Sequence, residues 1–255
     1  MILLFDIGNT HTHVGLAHAS RIDRSLDLPT ADWATDRNAA PLRRFVARHR
    51  LAGAALCSVV PDATPWVQAF VQNQFGLAPL ALTHRTVRGV AVDYPRPATI
   101  GPDRLANAVA ARERFGAPVV VIDFGTAVTF DVVNPDGAYV GGIIAPGLAA
   151  MTDYLHEKTA LLPRIRIREV SGAIGRSTTD AMRIGAVHGY RGLIRGLLGE
   201  LRKELGRRRL PVIATGGYAR LMAAGLPEIQ AVAPHLTLEG VLHVWQAHHA
   251  PGPPA

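Results

Sequence analysis

The sequence predicts an α/β protein made of two similar α/β domains, and three observations carry that expectation. The segments LLFDIGNTHTHVGLA at 3–17 and VVIDFGTAVTFDVVN at 120–134 share one plan: an apolar strand, Asp-apolar-Gly, hydroxyl residues, then a second, alternating strand. Asp6 aligns with Asp123 and Gly8 with Gly125, an offset of 117 residues. Behind each copy, strand and helix patterns alternate. Third, LPVIATGGYARLM at 210–222 is a strand that ends in Thr-Gly-Gly and runs straight into a helical pattern.

Taken in order, each duplicated segment reads as a β-hairpin closed by a polar glycine turn. Helices are expected over APLRRFVARHR at 40–50, RLANAVAARERFG at 104–116, and 178–205, where Ile194, Leu197, Leu198, Leu201 and Leu205 repeat at helical spacing. The boundary is expected near Gly116 to Pro118, which divides the chain into domains 1–116 and 117–255. Residues after about 246 are expected to form a flexible tail, because the prolines and glycine of HHAPGPPA propagate neither helix nor sheet.

At 255 residues and 48% hydrophobic content, ordinary core burial meets the conformational cost of folding. The single cysteine, Cys57, excludes an intramolecular disulfide framework, and no secretory pattern opens the sequence, so a cytoplasmic location is expected. Apolar runs such as APVVVIDF are too short to span a bilayer and read as buried parallel strands. The net charge of +7 is spread along the chain in scattered arginines, not gathered in the stripe a nucleic-acid partner needs. Its densest cluster, RKELGRRRL at 202–210, falls at a helix end, where positive charge complements the dipole. Anionic small molecules remain compatible with the charge.

The two Asp-Gly hairpins and the Thr-Gly-Gly turn point to phosphate chemistry. Backbone N–H groups and the Asn9, Thr10 and Thr12 side chains can cradle phosphates, and an aspartate at a strand tip can hold Mg²⁺ as a hard oxygen ligand. Without a cation or partner, burial would cost Asp6 several kcal/mol and raise its pKa. Plainer readings exist beside these: Asp6 as a turn-forming residue, Gly216-Gly217 as a tight strand-to-helix turn. His11 and His13 share one strand face; zinc would need further ligands, and solvent-facing polar residues are the default. Two such hairpins facing one another across a cleft, with a third Gly-rich turn for the nucleoside, is the arrangement of ATP-dependent phosphotransferases of the actin, hexokinase and Hsp70 type.

A narrower resemblance follows from DIGNT at 6–10, YPRPATIGPDR at 94–104, DFGTAVTFD at 123–131, GGIIAPGL at 141–148, GRSTTDAMRIG at 175–185, TGG at 215–217 and LTLEGV at 236–241. In order and spacing the chain resembles type III pantothenate kinases from Met1 to about His243. That resemblance implies two duplicated ribonuclease H-like domains with a cleft between them. It also implies transfer of phosphate from ATP to pantothenate, giving 4'-phosphopantothenate in the first step of coenzyme A biosynthesis.

The resemblance assigns roles residue by residue. Asp103 matches the base that accepts the pantothenate hydroxyl proton; Gly101, Pro102, Arg104, Tyr94 and Thr178 match substrate contacts, in a pocket completed by a second subunit of a homodimer. Asp6, Ile7, Gly8, Asn9, Thr10, His11, Thr12 and His13, with Thr126, fall at ATP-contacting positions. Asp123 matches a ligand of a monovalent cation, K⁺ or NH₄⁺, and Asp6 a ligand of Mg²⁺; Asp123 also reads as a second Mg²⁺-organising aspartate. Local chemistry offers its own account of two of these stretches. Gly101, Pro102 and Asp103 fit N-cap, N1 and N2 of a helix, and Ser177 with Asp180 fits a capping box that leaves Thr178 facing outward. His11, His13 and Pro102 depart from the family pattern without removing a functional group. Two other functions stay open at this stage: a kinase for another small hydroxylated metabolite, and a non-enzymatic transcription accessory factor on the same scaffold.

Overall fold

The computed structural model describes residues 1–250, so the expected tail beyond them lies outside the described residues. Strands β1 (Ile2–Ile7), β2 (His11–His18) and β3 (Arg21–Pro29) come first, then α1 (Ala39–Val46), β4 (Gly53–Ser58) and α2 (Thr64–Phe75). The short β5 (Leu80–Ala81) and β6 (Ala91–Val92) lead to α3 (Pro102–Phe115). Next come β7 (Val119–Phe124), β8 (Ala127–Val133), β9 (Ala138–Pro146), α4 (Leu148–Lys158) and α5 (Thr178–Glu204). The chain closes with β10 (Val212–Thr215), α6 (Ala219–Ala223), β11 (Ala231–Val232) and α7 (Leu236–His249).

These elements form two compact units. The first holds Met1–Ala117, Asp136–Val140 and the residues from His235 onward; the second holds Pro118–Pro135 and Gly141–Pro234. In the first, the sheet runs β3-β2-β1-β4-β5, with β1 antiparallel to β2 and parallel to β4. Its central strand is buried except for a partly exposed Asp6, as a strand covered on both faces should be. Phe5, Ile7, Leu16, Leu42, Phe45, Leu56, Val67 and Val71 share one core, and α3 and α7 pack together and against β4. Beside them β6 pairs in parallel with the first residues of β9, Ala91 with Ala138 and Val92 with Tyr139.

The second unit repeats the plan. Its strands run β9-β8-β7-β10-β11, the same order for the corresponding elements, and β7 has the same burial pattern as β1, with Asp123 as its one partly exposed residue. Both hairpins form as the sequence predicts. They differ in one detail: residues 8–11 separate the paired Ile7 and Thr12, but only residues 125–127 separate Phe124 and Val128. In this unit α5 starts at the expected capping box, where the Ser177 hydroxyl accepts the Asp180 N–H at 3.1 Å. Arg191, buried on α5, donates twice to Glu169 (2.9 and 2.7 Å) and once to the Leu221 carbonyl, tying the extended stretch before the helix to α5 and α6.

Three expectations change. The helix expected at 40–50 stops at Val46. The single cut near 117 gives way to a chain that returns: α7 belongs to the first unit, because Leu238, Val241, Leu242 and Val244 are buried there against α3, β1 and β4. For the same reason the helix continues past 246 to His249, with Trp245 and His249 stacked at 4.1 Å and His248 Nε2 2.7 Å from the Thr86 carbonyl.

The α3–α7 contact is backbone-close: a Cβ on Gly240 would collide with the Ala106 carbonyl oxygen. The Gly240→Ala variant is therefore expected to lose about 2 kcal/mol or more of stability, read as a lowered denaturation midpoint.

Candidate active site

In the first unit the site grows from the tip of β1 and the start of α3. Asp6 ends the apolar run of β1, opposite Cys57 in the parallel β1–β4 register. The Cys57 thiol donates to Asp6 Oδ1 at 3.4 Å. Its own burial, followed by the charges of Asp6 and Asp103, holds that thiol well above the ordinary cysteine pKa. Cys57 thus stays a neutral S–H donor beside the Asp6 carboxylate, and Asp103 lies close enough to act on the same sulfur.

Asp103 takes the position expected of it. Gly101 is the N-cap of α3, Pro102 follows, and the Asp103 carboxylate accepts the Arg104 N–H at 2.8 Å. Burial pushes the Asp103 carboxyl above the usual aspartate range; the Arg104 backbone N–H and guanidinium pull the other way without cancelling it. The same helix start aims Arg104 toward Tyr139, its guanidinium carbon 5.9 Å from the ring centroid. Tyr94 meets the same ring, its own centroid 6.3 Å from that of Tyr139. Arg104, next to Asp103, and Tyr94 are thereby brought together at a fully buried Tyr139 that the sequence reading missed.

The loop after β1 separates into exposed and buried parts. Asn9, Thr10, His11 and His13 are exposed, Gly8 is half-buried, and the Gly8 N–H closes the turn onto the His11 carbonyl at 3.0 Å. Ile7 has a fully buried side chain, and its carbonyl accepts the Val59 N–H. Thr12 is also fully buried: its hydroxyl accepts from Trp33 Nε1 and lies 3.0 Å from the Thr30 hydroxyl. The expectation that the Thr12 side chain cradles phosphate is corrected on this ground, since strand alternation points it inward. His11 and His13 do share a face, with rings 6.4 Å apart, and His13 Nδ1 meets Asp27 Oδ1 at 2.6 Å. Among the described residues no three His, Cys, Asp or Glu side chains form a metal cage.

In the second unit Asp123, next to last in β7, lies opposite Thr215 of β10. Gly216 follows with φ of +86°, a left-handed conformation suited to glycine, and a Cβ there would strike Asp123 Oδ1 and the Phe124 backbone. The Thr-Gly-Gly turn therefore lies directly on the aspartate. The helix behind it, α6, is barely more than one turn, so its dipole is small and the turn itself is the feature. Thr126 is exposed in the β7–β8 turn, whose carbonyl at Thr126 accepts the Gly147 N–H at 3.1 Å. A cavity of about 560 Å³ opens beside Tyr218, lined also by Thr152, Asp153, Arg164 and Arg166. Thr178, the first residue of α5, is exposed, as the capping-box reading requires.

Four residues at or under these features escaped the sequence reading: Tyr139, Cys57, Thr30 and Trp33. The internal repeat carried a signal for one of them, since Cys57 stands to Asp6 as Thr215 stands to Asp123. Tyr139 had none, because only the pairing of β6 with β9 brings it to Tyr94.

Residues 2–200 match the family model of type III pantothenate kinases. A protein so named from Akkermansia muciniphila is 45% identical over 241 residues, covering 94% of this chain and 96% of its own. Another from Methylacidiphilum infernorum is 43% identical over 242 residues, covering 94% and 86%. Among solved structures, a Baf family protein from Campylobacter jejuni superposes with a TM-score of 0.63 at 20% identity, covering 97% of this chain and 98% of its own. At that identity the likeness speaks for the fold alone, which is the duplicated actin/hexokinase-like α/β fold.

The protonated, buried state of Cys57 has a direct consequence. In the folded protein the thiol is expected to resist iodoacetamide and to react at the rate of free cysteine once the chain is unfolded; the check is mass spectrometry of labelled native and denatured samples.

Proposed function

The chain belongs to the type III pantothenate kinase family, and on that premise we propose how each unit serves the reaction. The reaction moves the γ-phosphoryl group of ATP to the primary hydroxyl of pantothenate, in coenzyme A biosynthesis. The carboxylate of Asp103 takes the hydroxyl proton as that oxygen forms its bond to phosphorus and the bond to the leaving ADP oxygen breaks. The observation that carries this reading is the combination found at Asp103: a carboxylate fixed by the Arg104 N–H, yet made more basic by burial. A carboxylate of raised pKa is a better proton acceptor than an ordinary aspartate. Within the first unit Arg104 and Tyr94, gathered on Tyr139, hold pantothenate with Gly101 and Pro102. In the second unit Thr178, exposed at the start of α5, is the substrate contact.

In the first unit ATP phosphates are taken by the outer part of the first loop, from Gly8 through His11; His13 borders it and Ile7 offers only backbone. In the second unit the exposed Thr126 is the ATP contact. The nucleoside lies against the turn at 215–217, where the cavity beside Tyr218 has room for it. Asp6 suits Mg²⁺, which is typically bound through one or two carboxylates plus waters and substrate phosphates, not by a protein cage. Asp123, with carbonyl oxygens of its own turn, suits a monovalent cation by the same oxygen-donor chemistry. Such ions, when bound, add positive potential that stabilises charge on the transferring group.

A second copy of the chain fits the surface of the second unit. Ile144, Leu161 and Ile174 are 66, 90 and 85% exposed, and Tyr154 is exposed as well, apolar surface that a second copy would cover. A homodimer is inferred from this surface. A cytoplasmic location agrees with ATP as substrate and a single reduced thiol. Among the described residues no helix is long and apolar enough to cross a membrane.

Five outcomes check these assignments. The Asp103→Asn variant is expected to lose pantothenate-dependent ADP release by roughly 10²–10⁴-fold; turnover near wild type would exclude Asp103 as the base. Because a raised carboxyl pKa favours the folded state only at pH below it and disfavours it once ionised, the same variant should melt at an equal or higher temperature at neutral pH. The acid limb of kcat/KM in wild type should lie above the ordinary aspartate pKa. Exchange of K⁺ for Na⁺ should lower wild-type activity and leave Asp123→Asn indifferent, and sedimentation should give the mass of two chains, shifting toward one in Leu161→Asp.

A further inference from the structure

A line of hydrogen-bonding groups runs beneath the loop after β1, all within the first unit. Trp33 Nε1–H donates to Thr12 Oγ1 at 3.0 Å, the Thr12 and Thr30 hydroxyls are 3.0 Å apart, and Thr30 Oγ1 donates to the Gly8 carbonyl at 2.7 Å. Its direction is fixed by chemistry. An indole N–H only donates and a carbonyl only accepts, so the single proton of Thr30 goes to Gly8 and the middle bond must be donated by Thr12. Thr12, Thr30 and Trp33 are 0, 4 and 4% exposed, which keeps water from competing and lets the bonds reinforce one another.

The loop end of this line sets a peptide orientation. In a planar trans peptide the C=O and the following N–H point in opposite directions. With the Gly8 carbonyl drawn inward to Thr30, the Asn9 N–H points outward, on the side where Asn9 and Thr10 are exposed. The other end of the loop is pinned as well, by the Thr30 N–H on the Thr10 carbonyl at 3.1 Å.

The second unit is built differently at the corresponding place. There the residue after β9 is Gly147, whose N–H meets the Thr126 carbonyl at 3.1 Å just as that of Thr30 meets Thr10, but a Cβ at Gly147 would run into the Gly125 and Thr126 carbonyls. The shorter turn rests on bare backbone, whereas the longer one is held off by a threonine side chain.

We infer that Trp33, Thr12 and Thr30 are positioning residues for the nucleotide: their relay orients the Gly8–Asn9 peptide and presents the Asn9 N–H to an ATP phosphate. The inference rests on the assignment of this loop to ATP. Removing the donor should cost about one hydrogen bond to a charged group, roughly a tenfold rise in KM.

The test is steady-state kinetics on the full chain, with thermal melts for folding. Thr30→Val is expected to raise the KM for ATP roughly tenfold with the KM for pantothenate within about twofold of wild type, and Thr30→Ser should restore the ATP value. Trp33→Phe, which frees the Thr12 hydroxyl, should shift the ATP constant in the same direction. An unchanged ATP constant in folded Thr30→Val, or equal loss for both substrates, would overturn the relay. Should Thr30→Val not fold, Trp33→Phe decides in its place by the same criterion. Asn9→Pro, which deletes the N–H itself, separates the two claims. A raised ATP constant there, beside an unchanged one in the relay variants, sinks only the relay; an unchanged one in Asn9→Pro removes the loop from phosphate binding and the relay with it.

Discussion

A carboxylate at the tip of a central strand is the constraint on which the rest of this structure depends. In β1 and in β7 every residue is buried except the aspartate, which is partly exposed. A central strand has neighbours on both sides, so the tip side chain is shaped by the residue beside it on the parallel strand: Cys57 for Asp6, Thr215 for Asp123. Left unpartnered and ionised in such a place, a carboxylate would cost several kcal/mol. The first unit answers with a neutral thiol donor that cannot bring a second charge. The second unit answers with backbone: the chain turns over Asp123 so closely that position 216 has no room for a side chain. Turns that must pass this close to a carboxylate are short and glycine-rich, and those are the turns on which a polyanion can be held.

Duplication gives the two halves the same strand order, and the differences between them are where function has room to diverge. One extra residue in the first hairpin loop lifts its exposed part away from the strand end, and that gap has to be filled. It is filled by polar groups, not by apolar ones, because the loop carbonyls need donors. Trp33 shows the economy of the solution: its ring packs edge-on to Phe5 at 6.3 Å and to Phe70 at 5.8 Å in the apolar core, while its one polar atom feeds the hydroxyl above. A single side chain thereby links the core of the unit to the geometry of its loop.

Much of this was legible in the chain, for physical reasons that can be stated residue by residue. The hairpins, the glycine turns and the helix starts at Gly101 and Ser177 are local: strand alternation, Pro102 at the first helical position and the Ser177–Asp180 pair act within a few residues. The return of α7 to the first unit was not legible, since it is decided by which buried surface Leu238 and Val241 meet more than a hundred residues away from α3. Thr12 was misjudged for a related reason. Its hydroxyl suggests phosphate, but in a strand each residue takes the face its neighbours leave, and Thr12 pairs with Ile7 on the buried side. Tyr139 and Trp33 were invisible because a lone aromatic reads as core until pairing shows which polar group it meets.

The basicity of Asp103 shows how the distant C-terminal helix reaches the chemistry. At the second position of α3, an aspartate would by helix-dipole and hydrogen-bond arguments alone be more acidic than usual. The shift is upward, because desolvation outweighs the backbone hydrogen bonds and the charge of Arg104. Desolvation on that scale needs α3 held firmly. One turn past Asp103, Asn107 is buried and its side-chain oxygen accepts the Thr237 hydroxyl at 2.9 Å, while Gly240 lets α7 approach the Ala106 carbonyl. α7 thus clamps the helix that begins with the proposed base. Loosening that clamp would admit water at α3 and lower the carboxyl toward its ordinary value, weakening the base without touching it.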